Sequence, residues 1–117
     1  MAKKTSIPDP LERRHLVERE LAPEQALRIA EAYLADDRVW EAIVFLTKAA
    51  ANDRLAALRD AAAAAGDTFL VRELTRALRD EFPAARWREV VAAAEATGKD
   101  RHAAQARRLV DRAEGGS

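Results

Sequence analysis

Residues 25–50 read QALRIAEAYLADDRVWEAIVFLTKAA, and this stretch decides the fold. Its first half places apolar residues such as Ile29 and Tyr33 at spacings of three and four, the period of an amphipathic helix. Its second half carries a wider apolar stripe, typical of a helix that packs on two sides. Asp36 and Asp37 separate the halves, and so short a connection suits only an antiparallel pair. The stretch therefore predicts a helical hairpin.

Two looser copies of this pattern follow, over about residues 54–82 and 84–114. Apolar residues make up 49% of the chain but aromatic residues only 5%, and the abundant alanine buries little surface. We therefore expect bulky side chains to supply most of the core. The leucines are joined in this role by Tyr33, Trp40, Phe45, Phe69, Phe82 and Trp87.

Turn and cap residues predict where the helices begin and end. Asp9-Pro10 is a good helix start, with the aspartate as cap and the proline at the first helical position. Further signals of this kind set the remaining boundaries. They are Pro23 opening the first hairpin, Asn52 as a left-handed exit with Asp53 capping the next helix, Gly66-Asp67-Thr68 as exit and cap, Pro83 ending the fifth helix, Gly98 ending the sixth, and Asp100 capping the last.

The hairpins resemble the tetratricopeptide repeat, a helix–turn–helix unit of about 34 residues. The matching residues are Ile29, Ala30, Tyr33, Ala42, Ile43, Leu46 and Ala49 in the first copy, Leu55, Leu58, Ala62 and Gly66 in the second, and Trp87, Val90, Ala94, Gly98, Ala103 and Val110 in the third. Two features depart from the family pattern. Arg59 stands where the family has a small residue, and the copies recur about every 30 to 32 residues.

The resemblance implies an all-α fold: a right-handed stack of three antiparallel helical hairpins, a tetratricopeptide-like α-solenoid, with a short N-terminal helix. The expected organisation is an N-terminal extension at 1–22 with a capping helix, a repeat domain at 23–114, and a flexible tail at 115–117. The hairpins cover about 23–51, 53–82 and 84–114, and residues 1–7 are expected to be disordered. The N-terminal helix either covers the open end of the stack or docks on a partner.

The sequence offers no catalytic constellation, so we do not expect an enzyme, and we expect no cofactor and no bound metal. There is no cysteine, and the only serines, Ser6 and Ser117, lie near the chain ends. Glu12 and His15 have the spacing of a di-iron carboxylate motif, but no second such pair accompanies them. Adjacent acids at Asp36-Asp37 are usual turn residues.

The charge balance argues against a polyanionic or membrane partner. Twenty basic and twenty acidic side chains give a net charge of zero, so no overall field attracts nucleic acid or anionic lipid. No run approaches the roughly 20 apolar residues of a membrane helix, and we see no signal peptide. The expected location is the cytoplasm, and the richness in arginine and alanine fits a GC-rich bacterial genome.

A non-catalytic adaptor or scaffold that binds another protein or peptide is the function that the resemblance implies, because stacked hairpins form a concave surface. The expected binding residues on that surface are Glu24, Leu27, Arg28, Glu31, Leu34, Asp60, Arg88, Glu89 and Glu95. The basic residues with which some tetratricopeptide domains clamp a peptide C-terminus are absent from the matching positions. An equally simple interpretation is that these residues form solvated helix faces.

Two other functions stay open. Arginines of the C-terminal hairpin, with Arg13 and Arg14, could form a nucleic-acid-binding patch, although acids are interleaved among them. The arginines in question are Arg86, Arg88, Arg101, Arg107 and Arg108. Self-association, as a homodimer packed end to end, would bury more apolar surface.

Overall fold

The computed structural model describes residues 7–115, and over this range the chain is all α-helical, with seven helices and no strand. The helices are α1 (Pro10–Glu18), α2 (Pro23–Ala35), α3 (Val39–Lys48), α4 (Asn52–Ala64), α5 (Thr68–Leu78), α6 (Ala84–Ala96) and α7 (Asp100–Gly115). This confirms the prediction of an all-α fold. Within the described range, every helix is too short or too polar to cross a membrane.

The chain divides into two compact units, residues 1–55 and 56–117, with the boundary inside α4. In the first unit α2 packs against α3, and the Tyr33 and Phe45 rings stack with their centroids 5.9 Å apart. Both rings are completely buried. The three-residue connection after α2 makes this pair antiparallel, as the sequence predicts.

Helix α1 belongs to the first unit and buries none of its own residues. Asp9 caps it by accepting a hydrogen bond from the Glu12 backbone N–H at 2.8 Å, as predicted. Beyond the helix, the Lys48 Nζ donates to the Arg19 carbonyl at 2.9 Å. The predicted disorder of residues 1–7 falls almost entirely outside the described residues.

In the second unit α6 packs against α7, and α5 also contacts α7. The α5–α7 contact is made by Thr68, which is fully buried. Its Oγ1 donates to the His102 carbonyl at 2.7 Å, and its backbone N–H donates to the His102 Nδ1 at 3.0 Å. Phe69 stacks edge-on against the same imidazole. Two consecutive residues of α5 therefore hold the first turn of α7 in place.

Several predicted boundaries were wrong in detail. The left-handed exit before α4 falls on Ala50, at φ +53°, and not on Asn52. Helix α4 begins at Asn52, so Asp53 lies inside it and does not cap it. Helix α7 likewise begins at Asp100, so this aspartate is its first residue and not its cap. Helix α5 ends at Leu78, with Arg79 left-handed at φ +52°, so Pro83 does not end it. Gly115 belongs to α7, while the rest of the predicted tail lies outside the described residues.

Two of the expected core aromatics are also exposed. Trp40 is 51% exposed and Phe69 39% exposed. Trp40 is the second residue of α3, where the helix has no preceding turn to cover a side chain. Phe82 is buried as predicted, although it lies after α5 and not on it. Its ring packs edge-on against Trp87, with the ring centroids 4.8 Å apart.

Arg59 accounts for the departure from the family pattern in α4. Its side chain is only 11% exposed and pairs with Asp80 at 3.0 Å. Its Nη1 also donates to the Thr75 hydroxyl at 3.4 Å, and its guanidinium lies 5.2 Å from the centre of the Phe82 ring. The arginine thus joins α4 to the end of α5, a role that a small residue could not fill.

Candidate functional site

The first unit contains a cleft of about 510 Å³ that we call the Trp40 cleft. It lies where the residues before α1, α1 itself, the end of α2 and the start of α3 meet. Its lining combines proline rings, two arginines, two aromatic rings and one carboxylate. These residues are Pro8, Pro10, Arg13, Tyr33, Arg38, Trp40 and Glu41.

Trp40 supplies the largest exposed apolar surface in this cleft. About half of its side chain is open to solvent, although transferring an indole out of water is strongly favourable. Pro8 and Pro10 line the cleft beside it, and proline offers a rigid apolar ring without a backbone N–H. The cleft therefore presents an apolar surface that a partner can cover.

Arg13 is half-buried and reaches from α1 over the core of the first unit. Its guanidinium carbon lies 5.6 Å from the centre of the Tyr33 ring and 5.7 Å from that of Phe45, within the range of cation–π attraction. One amino group donates to the Glu41 carbonyl at 3.1 Å. The Nε is buried without a hydrogen-bond partner among the described residues.

Tyr33 brings a second buried donor to the same cleft. The residue is completely buried, yet its hydroxyl has no hydrogen-bond partner among the described residues. A buried polar group without a partner costs about 1–3 kcal/mol, so buried tyrosine hydroxyls usually find one. The hydroxyl is therefore an unused donor in a residue that lines the cleft.

Arg38 and Glu41 form an ion pair in the lining of the same cleft. The Arg38 Nη2 lies 2.9 Å from a carboxylate oxygen of Glu41. The Arg38 Nη1 lies 3.9 Å from a carboxylate oxygen of Asp36. The hydrogen bond from Arg38 holds the pKa of Glu41 below its usual range, and the same bond raises the pKa of Arg38. Arg38 is therefore ion-paired, whereas Arg13 makes no ion pair within the described range, although its charge also helps to lower the pKa of Glu41.

The second unit contains another cleft, of about 580 Å³. Phe82, Trp87 and Leu109 give it an apolar surface, but all three are at least nine-tenths buried. Arginine and acidic side chains surround this apolar surface. The lining residues are Arg72, Thr75, Arg76, Asp80, Glu81, Phe82, Pro83, Ala84, Trp87, Leu109, Arg112 and Ala113. This cleft exposes no aromatic ring comparable with Trp40.

The concave-surface residues predicted on α2 lie on its accessible side. Glu24 and Arg28 are exposed, Leu27 is 36% exposed, and Leu34 is half-buried. Glu31 makes a two-pronged ion pair with Arg54, with the Arg54 Nε 3.1 Å from one carboxylate oxygen. The carboxylate of Glu31 is thus already occupied, while the other α2 residues remain accessible.

The residues predicted for this surface in the second unit are mostly paired as well. Asp60 accepts from Arg86 at 3.0 Å, and Glu89 lies 4.0 Å from the same guanidinium. Arg88 pairs with Glu114, and Glu95 pairs with Arg107. Three of the arginines considered for nucleic-acid binding, Arg86, Arg88 and Arg107, therefore already face carboxylates. A continuous concave groove stays a prediction.

Sequence reasoning missed the Trp40 cleft because its key members are far apart in the chain. Arg13 precedes Tyr33 by twenty positions, and no local period relates them. One signal was present: two arginine-bearing segments, one at Arg13 and one at Arg38 and Trp40, flank Tyr33 in the sequence. Glu12 and His15, considered as metal ligands, are both exposed, and the described residues contain no cluster of three or more potential metal ligands.

Comparison of the chain with protein-family models, with curated proteins and with solved structures gave no match. The tetratricopeptide resemblance therefore depends on the repeat residues and on the helix positions alone.

Proposed function

We propose that this chain is a non-catalytic protein-interaction module and that it binds a segment of another protein in the Trp40 cleft. The observation that carries the proposal is the half-exposed indole of Trp40 in a cleft with two arginines. Tryptophan, tyrosine and arginine are the residues that most often dominate binding energy at protein interfaces. The Trp40 cleft contains all three types.

The proposal also includes the way in which the helical hairpins stack. Tetratricopeptide-like hairpins stacked in a right-handed solenoid would present α2, α4 and α6 on one concave surface. The accessible α2 residues Leu27 and Arg28 then provide a second, weaker surface for the same partner. We favour the Trp40 cleft as the primary site, because charged residues that are paired within the chain must lose those partners before they bind another molecule.

Site-specific photo-crosslinking tests the proposal and locates the surface. A benzophenone amino acid replaces Trp40, Arg28 or Phe69 in three separate full-length variants, which are irradiated in the host lysate. Position 40 probes the Trp40 cleft, and position 28 probes the predicted concave surface. Position 69 is the matched control, because Phe69 is an exposed aromatic residue of the second unit.

The proposal expects one discrete protein adduct at position 40, identified by mass spectrometry as a different protein, and none at position 69. An adduct at position 28 alone would move the site to the concave surface. An adduct between two copies of this chain would favour self-association, and an adduct sensitive to nuclease would favour nucleic acid. Equal adducts at 40 and 69 would show non-specific trapping and contradict the proposal.

A further inference from the structure

Arg13 is a half-buried cation that makes no ion pair within the described part of the chain, although the Glu41 carboxylate is near enough to feel its charge. Its only hydrogen bond there is to the uncharged Glu41 carbonyl, and its attraction to the Tyr33 and Phe45 rings leaves the positive charge unneutralised. A guanidinium removed from water is best stabilised by a carboxylate that accepts two parallel hydrogen bonds. The buried Nε also has no partner among the described residues, so the guanidinium keeps an unused donor.

Tyr33 offers a second unused donor in the same cleft. The Tyr33 hydroxyl oxygen is buried and has no hydrogen-bond partner in the described range. The residue also lines the cleft. The free hydroxyl costs stability unless an acceptor reaches it. Two donors without acceptors, one of them on a cation, select a ligand that carries acceptor oxygens and negative charge.

We infer that the Trp40 cleft binds an acidic segment of the partner, whose Asp or Glu carboxylate is held by Arg13 and Tyr33 while a neighbouring apolar residue packs on Trp40. This inference rests on the proposed function and specifies its ligand. The site differs from the positions at which tetratricopeptide domains clamp a C-terminal carboxylate. It needs a side-chain carboxylate beside an apolar residue, and not a chain end.

The charges of the cleft favour a carboxylate over a phosphate. Arg38 is already paired with Glu41, so Arg13 is the lining arginine without an ion pair among the described residues. A phosphoryl group carries nearly two negative charges at neutral pH, and the Glu41 carboxylate in the same lining would repel the second charge. A singly charged carboxylate matches Arg13, the lining arginine that makes no ion pair among the described residues.

The test compares pools of short peptides with blocked ends that are identical except at one central position, which is Glu, Gln or phosphoserine. Binding to the full-length chain is measured for the wild type and for Y33F, R13K and W40A. We expect the wild type to bind the Glu pool about tenfold more tightly than the Gln pool, since a charged hydrogen-bonded contact contributes about 1.5–3 kcal/mol. The phosphoserine pool should bind more weakly than the Glu pool.

The Y33F variant is the most selective probe. Because it removes only a hydroxyl that lacks a partner, its melting temperature should stay the same or rise, while the Glu-over-Gln preference falls several-fold. R13K keeps the positive charge but loses the planar donor pair, so it too should lower the preference. The preference is a ratio between two ligands of one folded protein, so a loss of stability alone does not change it.

Each failure has its own signature. Equal binding of the Glu and Gln pools that still depends on Trp40 would overturn the carboxylate inference and leave the proposed function standing. Tighter binding of the phosphoserine pool would overturn the choice of a single charge. Binding of both pools that W40A leaves unchanged would overturn both the inference and the proposed function.

Discussion

Gly66 and Ala94 meet backbone to backbone in the second unit. A Cβ atom built on Gly66 would lie 2.5 Å from the Ala94 nitrogen and 2.6 Å from its Cα, closer than any side chain can approach. Gly66 also has φ +73°, in the left-handed region. Gly66, in the turn after α4, therefore allows α6 to approach this turn more closely than any residue with a Cβ would.

Gly66→Ala should destabilise the protein by about 3 kcal/mol or more. The left-handed conformation costs a residue with a Cβ about 1–2 kcal/mol, and overpacking against a rigid backbone adds about 1–3 kcal/mol. Chemical denaturation measures the loss. Gly98→Ala is the matched control, because Gly98 has φ +70° but nothing within 4 Å of the added Cβ; it should lose only the conformational cost of about 1–2 kcal/mol. Equal losses would contradict the close contact with Ala94.

Ala50→Gly should stabilise the protein. Ala50 is exposed and has φ +53°, a conformation that glycine adopts without the penalty of a Cβ. After the greater flexibility of glycine in the unfolded chain is subtracted, a gain of about 0.5 kcal/mol remains. The neighbouring Ala49 has an ordinary right-handed conformation at φ −82°, so Ala49→Gly should instead lose about 0.5–1 kcal/mol. A loss for both variants would contradict the assigned helix exit.

The two tryptophans should differ sharply in their contribution to stability. Trp87 is 5% exposed and packs edge-on against Phe82, so Trp87→Ala should cost about 3–5 kcal/mol. Trp40→Ala should cost clearly less, about 2 kcal/mol at most, since half of the side chain is already in water and only the covered half loses its burial. Fluorescence distinguishes the environments: Trp87 alone, in W40F, should emit at shorter wavelength than Trp40 alone, in W87F. Similar spectra and similar losses would contradict this burial pattern.

The stability should fall at low pH partly through Asp80. Its pKa is lowered, first by the Glu81 backbone N–H that donates to it and then by the hydrogen bond from Arg59. A carboxyl whose folded pKa is depressed stabilises the protein above its unfolded value of about 3.9, and this contribution disappears as the pH falls through the folded value.

Comparison of wild type with Asp80→Asn tests this dependence. The stability difference between them should be largest near neutral pH and should shrink below about pH 4. A carbon-detected titration of the Asp80 carboxyl gives the folded pKa directly. A pKa at or above the usual range, or a stability difference that does not change with pH, would rule out the assignment.

The all-helical fold and most helix starts could be predicted because they depend on local chemistry. Asp9 caps α1, and Asp67 caps α5 by accepting from the Leu70 backbone N–H at 3.3 Å; both effects act over three residues of sequence. The burial of Tyr33 and Trp87 also followed from helical periodicity. Such features are decided within one or two turns of a helix, so the sequence alone contains the information.

The exposure of Trp40 and of Phe69 could not be predicted in the same way. Periodicity indicates which side of a helix is apolar, but it does not show whether another element reaches that side near the helix end. Arg59 is a similar case: it looked like a misfit in the repeat pattern, yet its long side chain joins Asp80, Thr75 and Phe82. Contacts between distant segments decide all three positions.

The candidate site was missed for the same reason. The concave-surface prediction came from family positions, and several of its charged members proved to be paired within the chain. Tyr33 appeared in the sequence only as a core residue. Its unpartnered hydroxyl, and the approach of Arg13 from α1, become visible only when the three-dimensional arrangement is known.

The most direct test of the central claim is the amide and indole NMR spectrum of the ¹⁵N-labelled chain during titration with the tightest peptide from an unbiased display library. The chain has two tryptophans, so two indole signals are expected, and W40F assigns them. The account predicts that the Trp40 indole signal shifts progressively with added peptide while the Trp87 signal stays in place. A bound peptide that shifts only the Trp87 signal, or neither indole signal, would contradict the claim that the Trp40 cleft is the binding site.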